Sequence, residues 1–133
     1  MLEVLKTKQG ALVADAAREI TSWLRSRARV WFGRGKQEGS IRASFQTPNG
    51  EVNPINIWTY GKIEINFTAL KSSPSFTYDK RHELLRRLNE IKGVSLREDA
   101  IDRYPSLPLQ LFTSLENRSQ LLNNFDWLAL QIE

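Results

Sequence analysis

The chain contains no cysteine, which removes disulfides, thiolate metal sites and cysteine nucleophiles together. It has one histidine, His82, so histidine-based zinc sites and most catalytic triads go too. Glycine and proline number seven and five, too few for a collagen-like, mucin-like or wholly disordered chain. Long apolar runs are also missing. Glu3 and Asp15 interrupt the N-terminal stretch MLEVLKTKQGALVADAAREI, which therefore reads as neither a signal peptide nor a membrane span. The expectation is a cytoplasmic protein with no membrane partner, no metal and no other cofactor. In that setting the sequons Asn66-Phe67-Thr68 and Asn117-Arg118-Ser119 carry no glycan.

What is present is the composition of an ordinary globular domain. The 133 residues are 41% apolar and 26% charged, and a chain of this size buries roughly two-thirds of its unfolded surface without staples. No linker, repeat or low-complexity tract divides it, so residues 1–133 are read as one domain. The net charge is +4, and its distribution is uneven. Residues 1–66 hold ten Lys/Arg against six Asp/Glu, whereas residues 67–133 hold nine of each. The excess is densest in Arg25, Arg27, Arg29, Arg34, Lys36 and Arg42, opposed in that window by Glu38 alone. A focused positive field attracts polyanions, of which nucleic acid is the commonest in the cytoplasm. A solvated, solubilising face is the competing reading.

Periodicity supplies the elements. From Gly10 to Arg27, Leu12, Val13, Ala16, Ala17, Ile20, Trp23 and Leu24 recur at helical spacing and predict an amphipathic helix. Val30-Trp31-Phe32 reads as a short strand, followed by the glycine-rich basic loop 33–39. Residues 40–47 alternate, with Ile41, Ala43 and Phe45 on one side. Pro48-Asn49-Gly50-Glu51 is a turn signal. Residues 55–60 form a strand with Ile55 and Ile57 on one face and Trp58 and Tyr60 on the other. After Gly61-Lys62, residues 63–68 alternate again, and 69–77 read as a loop. A second helix runs from about Asp79 to Lys92, stopped near Gly93. Glu98, Asp99 and Ala100 open a short helical turn, and Pro105-Ser106-Leu107-Pro108-Leu109 is extended because each proline biases its predecessor away from the helical region. A last helix spans about Leu115 to Ile132. The fold expected is α+β: a four-stranded antiparallel meander preceded by one helix and covered by two further helices.

Enzyme motifs fail on spacing. A phosphate loop needs Gly-Lys followed by Ser or Thr, with another glycine five residues before the second glycine. Here Gln37 follows Lys36, and Val30 holds the earlier position. The dinucleotide fingerprint fails because the third glycine comes one residue late and a strand follows. The only Glu-x-Lys, Glu90-Ile91-Lys92, lies on a helix with Ile91 in its apolar stripe, which excludes the strand-borne arrangement of restriction-type nucleases. His82 reads as a surface histidine, and Glu98, Asp99 and Asp102 lack the pattern of a calcium loop.

Aromatic residues are the other candidates. Trp31, Phe32, Trp58, Tyr60 and Phe67 all map to the expected sheet, where rings on an open face stack nucleobases and rings under helices are merely core. Three functions stay open. The first is a non-enzymatic nucleic-acid-binding module in which Arg25, Arg27, Arg29, Arg34, Lys36 and Arg42 neutralise phosphates and Trp58 and Tyr60 stack bases. The second is a protein-interaction or homodimerisation domain anchored by Trp31, Trp58 or Trp127. The third is an enzyme with a pocket built from dispersed groups such as Glu64, Asn66 and His82.

The order of several segments resembles an uncharacterised bacterial domain family. They are Phe32-Gly33-x-Gly35-Lys36-x-x-Gly39-Ser40, Trp58-Thr59-Tyr60-Gly61-Lys62-Ile63-Glu64-Ile65-Asn66-Phe67, Glu83 to Ile91 with Gly93-Val94-Ser95, Pro105-Ser106-Leu107-Pro108-Leu109, and Phe125-Asp126-Trp127. Ile41 stands where that family has an aromatic residue. The resemblance implies a domain at the C-terminus of longer proteins, sometimes near restriction or nuclease-type modules, and brings no catalytic residue with it.

Overall fold

A computed structural model describes residues 2–33 and 39–132, with the side chains of residues 2–4, 8 and 32 outside the description. In chain order the elements are α1 (Leu2–Gln9), α2 (Ala11–Arg25), β1 (Arg29–Gly33), β2 (Ser40–Thr47), β3 (Gly50–Trp58), β4 (Lys62–Ile65), α3 (Phe67–Lys71), α4 (Tyr78–Asn89), β5 (Ser106–Pro108) and α5 (Leu115–Ile132). Two 3-10 turns, Glu98–Asp102 and Leu109–Thr113, flank β5. The strands form one antiparallel sheet in the order β1-β2-β3-β4-β5. The architecture is α+β, as the sequence predicts, but the sheet has a fifth strand.

That fifth strand is the extended Pro105–Leu109 segment. Ile63 pairs with Leu107 and Lys62 with Pro108, while Leu109 N–H donates to Gly61 O at 2.9 Å and Ile65 N–H to Pro105 O at 2.9 Å. Its prolines suit a sheet edge, where a missing N–H leaves no ladder bond unmade. The stretch 63–68 is corrected as well. β4 ends at Ile65 because the Asn66 side chain accepts from Ala69 N–H at 3.0 Å and starts α3, as an N-cap does. Phe67 is therefore a fully buried helical residue, and α3 occupies part of the expected 69–77 loop. A further helix, α1, precedes the first one expected and is separated from it by Gly10 at φ +95°.

Strand β3 begins five residues before the expected Ile55. Pro54, which has no N–H to give, sits inside this central strand. The ladder absorbs it by shifting register between Ala43 and Phe45, and Asn53 Nδ2 donates to Ala43 O at 2.6 Å, supplying a donor next to the position where proline has none.

All helices lie on one side of the sheet. Ile20 and Leu24 of α2, Leu84 and Leu88 of α4, and Leu121, Phe125 and Leu128 of α5 join Ile41, Ala43, Ile55, Ile57, Ile63, Ile65 and Leu107 in a single buried cluster. Leu12, expected on the apolar face of α2, is 71% exposed. The residues of opposite parity, Arg29, Trp31, Arg42, Asn56, Trp58, Lys62 and Glu64, belong to no part of that cluster.

After α4 the chain reverses at Gly93, φ +93°, where an added Cβ would lie 2.7 Å from Leu111 Cδ2. Positive φ and this contact act together, so Gly93→Ala is expected to destabilise the fold by about 1–2 kcal/mol. Urea unfolding checks it through a lower midpoint at unchanged m-value. A midpoint equal to that of the parent chain would exclude the tight turn.

Candidate nucleic-acid interface on the face without helices

Strand parity builds this face. Across β1, β2, β3 and β4, the register places Trp31 opposite Arg42, Arg42 opposite Asn56, Asn56 opposite Glu64, and Trp58 between Ser40 and Lys62. Small residues sit between large ones: Ser40, Ser44 and Asn56 are buried although no helix covers them. Asn56 is only 3% exposed, with Arg42 and Glu64 opposite it in register and Trp58 two residues along β3.

Aromatic and cationic groups interleave. The Trp58 and Tyr60 rings stack at 5.7 Å with 16° between planes. The Arg42 guanidinium lies 5.8 Å from the Trp58 ring centre, and the Arg29 guanidinium 4.7 Å from that of Trp31, both within cation–π range. Arg42 Nε also donates to Ser40 Oγ at 3.2 Å. Tyr60 stands in the turn after β3, not on the strand, and is 41% exposed.

Charge on the face is mixed. Arg29 is bound to Glu51 at 2.9 Å, whereas among the described residues Arg42, Lys62 and Glu64 take part in no ion pair. Asn56 Nδ2 donates to Glu64 Oε2 at 2.7 Å, which orients that carboxylate. The polar atoms Asn56 Oδ1 and Trp58 Nε1 are buried with no hydrogen-bond partner among the described residues, an arrangement that costs free energy in an unliganded protein.

The structure gathers Arg29, Arg42, Trp58 and Tyr60 of the sequence-derived residues and adds Trp31, Asn56, Lys62 and Glu64. Strand parity is the signal that identifies the additions, since all share the side of Trp58 and Arg42. Arg27 does not belong with them. Its Nε donates to Asp126 at 2.8 Å, its guanidinium lies 4.2 Å from the Trp23 ring centre, and it clamps α2 to α5. A charge count cannot see a partner 99 positions away. Arg25 is exposed in the last turn of α2, and Arg34 and Lys36 lie outside the described residues.

The groups of the enzyme reading are dispersed. Glu64 is on the open face, Asn66 caps α3, and His82 packs edge-on against Tyr78 at 4.4 Å on α4. One hollow, of about 590 Å³, is lined by Leu96, Arg97, Asp99, Arg103, Tyr104 and Pro105. Another, of about 460 Å³, is lined by Arg27, Phe45, Asp126 and Leu130 among others. Neither contains any of the three groups. Asp102 is tied to Lys71 at 2.9 Å, and that hydrogen bond holds its carboxyl below the usual range. Trp127 packs edge-on against Phe76 beneath Arg87.

Among the described residues no three His, Asp or Glu side chains gather as metal ligands would, and no helix is long and apolar enough to cross a membrane. Comparison of the chain with protein-family models, curated proteins and solved structures gives no match.

Proposed function

We propose that the protein is a non-enzymatic binding module of the bacterial cytoplasm that takes single-stranded nucleic acid on the face without helices. The observation that carries this reading is the Trp58–Tyr60 stack with Arg42 beside it, on a sheet face outside the core cluster. A nucleobase laid on that pair extends an existing stack, and Arg42 and Lys62, on the same face, supply the cations for the adjoining phosphates. A duplex buries its base faces and offers nothing to stack on, so single strands are preferred.

Fluorescence anisotropy with single- and double-stranded DNA and RNA tests this. With two to four phosphates neutralised, affinity for a single strand is expected to fall by about one to one and a half decades between 50 and 200 mM salt. Arg42→Ala reduces that slope. Arg34→Ala and Lys36→Ala, in the sequence between Gly33 and Gly39, report whether the basic window contributes. No binding at low salt would refute the reading.

Self-association is the second reading, favoured by β1, an edge strand of the sheet. Edge strands invite pairing with another chain. Sedimentation showing a monomer at high micromolar concentration would exclude it.

A further inference from the structure

Glu64 is an acidic group on a face otherwise suited to an anion. Phosphates avoid it, so a strand lying on this face must turn something other than its backbone toward β4. Asn56 makes the position specific. Its Nδ2 faces Glu64 Oε2 at 2.7 Å, and the reverse amide orientation would set two acceptors against each other. Asn56 Oδ1 is therefore the amide atom not turned to Glu64, and it is buried with no partner among the described residues. Arg42, opposite Asn56 in register, donates to Ser40 Oγ and lies near the Trp58 ring. The centre of the face thus holds two fixed acceptors, the Glu64 carboxylate and the buried Asn56 carbonyl, with Asn56 two residues along β3 from Trp58.

We propose that Glu64, positioned by Asn56, is the base-reading residue of this surface, accepting a hydrogen bond from the exocyclic amino group of a stacked base. The inference rests on the nucleic-acid reading above and narrows it to a preference. Carboxylates accept from the cytosine amino group. Uracil presents carbonyl acceptors on both sides of its single N–H and sets them against the carboxylate. Cytosine and uracil have the same ring size, so stacking contributes about equally to both, and the difference isolates the hydrogen bond.

The experiment compares octamers of cytidine and of uridine by anisotropy, for the parent chain and for Glu64→Gln, with thermal unfolding confirming that the variant is folded. The parent is expected to bind the cytidine octamer about tenfold more tightly than the uridine octamer. In Glu64→Gln, whose amide both donates and accepts, the ratio is expected to fall to about threefold or less. Equal binding of both octamers by the parent would overturn the base-reading role and leave the nucleic-acid reading standing. A cytidine preference that survives in Glu64→Gln would also overturn it, since the discriminating group would lie elsewhere. Failure of either octamer to bind at low salt would sink the nucleic-acid reading itself.

Discussion

Replacing Trp58 by alanine is expected to weaken binding of a single-stranded oligonucleotide about 10- to 100-fold while the chain stays folded. Trp58 closes β3, stacks on Tyr60 and lies beside the Arg42 guanidinium. Its removal therefore takes away the proposed platform, the ring stacked on Tyr60 and the surface beside the Arg42 guanidinium. It is half-buried and outside the core cluster, so the effect on stability is smaller than that of a core truncation. Trp58→Phe serves as the control. It keeps an aromatic face and should retain most of the affinity, which separates loss of stacking from general disturbance of the turn. The salt dependence should barely move in either variant, because neither removes a charge. Affinity of Trp58→Ala within twofold of the parent would dismiss the stacking role.

The largest expected effect on the fold is at Phe125. Its side chain is fully buried on α5, and its ring centre lies 5.8 Å from that of Trp23 on α2. The contact joins the last helix to the first long one, the same pair that Arg27 and Asp126 bridge at the surface. Phe125→Ala removes a ring from a close-packed site and leaves a cavity, at a cost of about 3–5 kcal/mol. Domains of this size are stable by only about 5–15 kcal/mol, so the variant should unfold at a much lower denaturant midpoint. By contrast, Arg27→Ala breaks an exposed ion pair worth about 1 kcal/mol or less. Denaturant titration of both variants ranks them, and similar midpoints would mean that α5 does not close the core.

Much of this fold is legible in the sequence wherever a periodic pattern meets a clear stop. The alternation Ile41, Ala43, Phe45 marks β2 from Ser40 to Thr47, and the stripe Leu121, Leu122, Phe125, Leu128, Ile132 marks α5 from Leu115 to Ile132. Elements held by long-range pairing are less visible. Ser106–Pro108 is too short to show a period, and its role as a strand comes from β4, more than forty residues earlier in the chain. Pro54 argues against a central strand unless the register shift opposite it is known. Asn66 ends β4 through its side chain, although Phe67 and Thr68 continue the alternating pattern. The candidate site divides in the same way. Trp58 and Tyr60 stand out by residue type and position, whereas Asn56 and Glu64 gain meaning only from their register beside Arg42 and Trp58. Arg27, counted in the basic window, is paired with Asp126 on α5, a partner that no charge count shows.

The one-sided placement of the helices also governs how this chain tolerates changes of length. Each strand turns alternate residues to a dry layer of isoleucine and leucine and to an open layer of arginine, tryptophan, asparagine and glutamate. One residue inserted into β3 or β4 would exchange the two layers for the rest of that strand. Asn56 and Glu64 would enter the interior, and Ile57 and Ile63 would face water. Substitutions on the open layer leave the interior largely intact, but an insertion or deletion within a strand disturbs both layers at once. Added length is expected to be tolerated best in connections such as the turn at Pro48 and Asn49, where no strand residue changes sides.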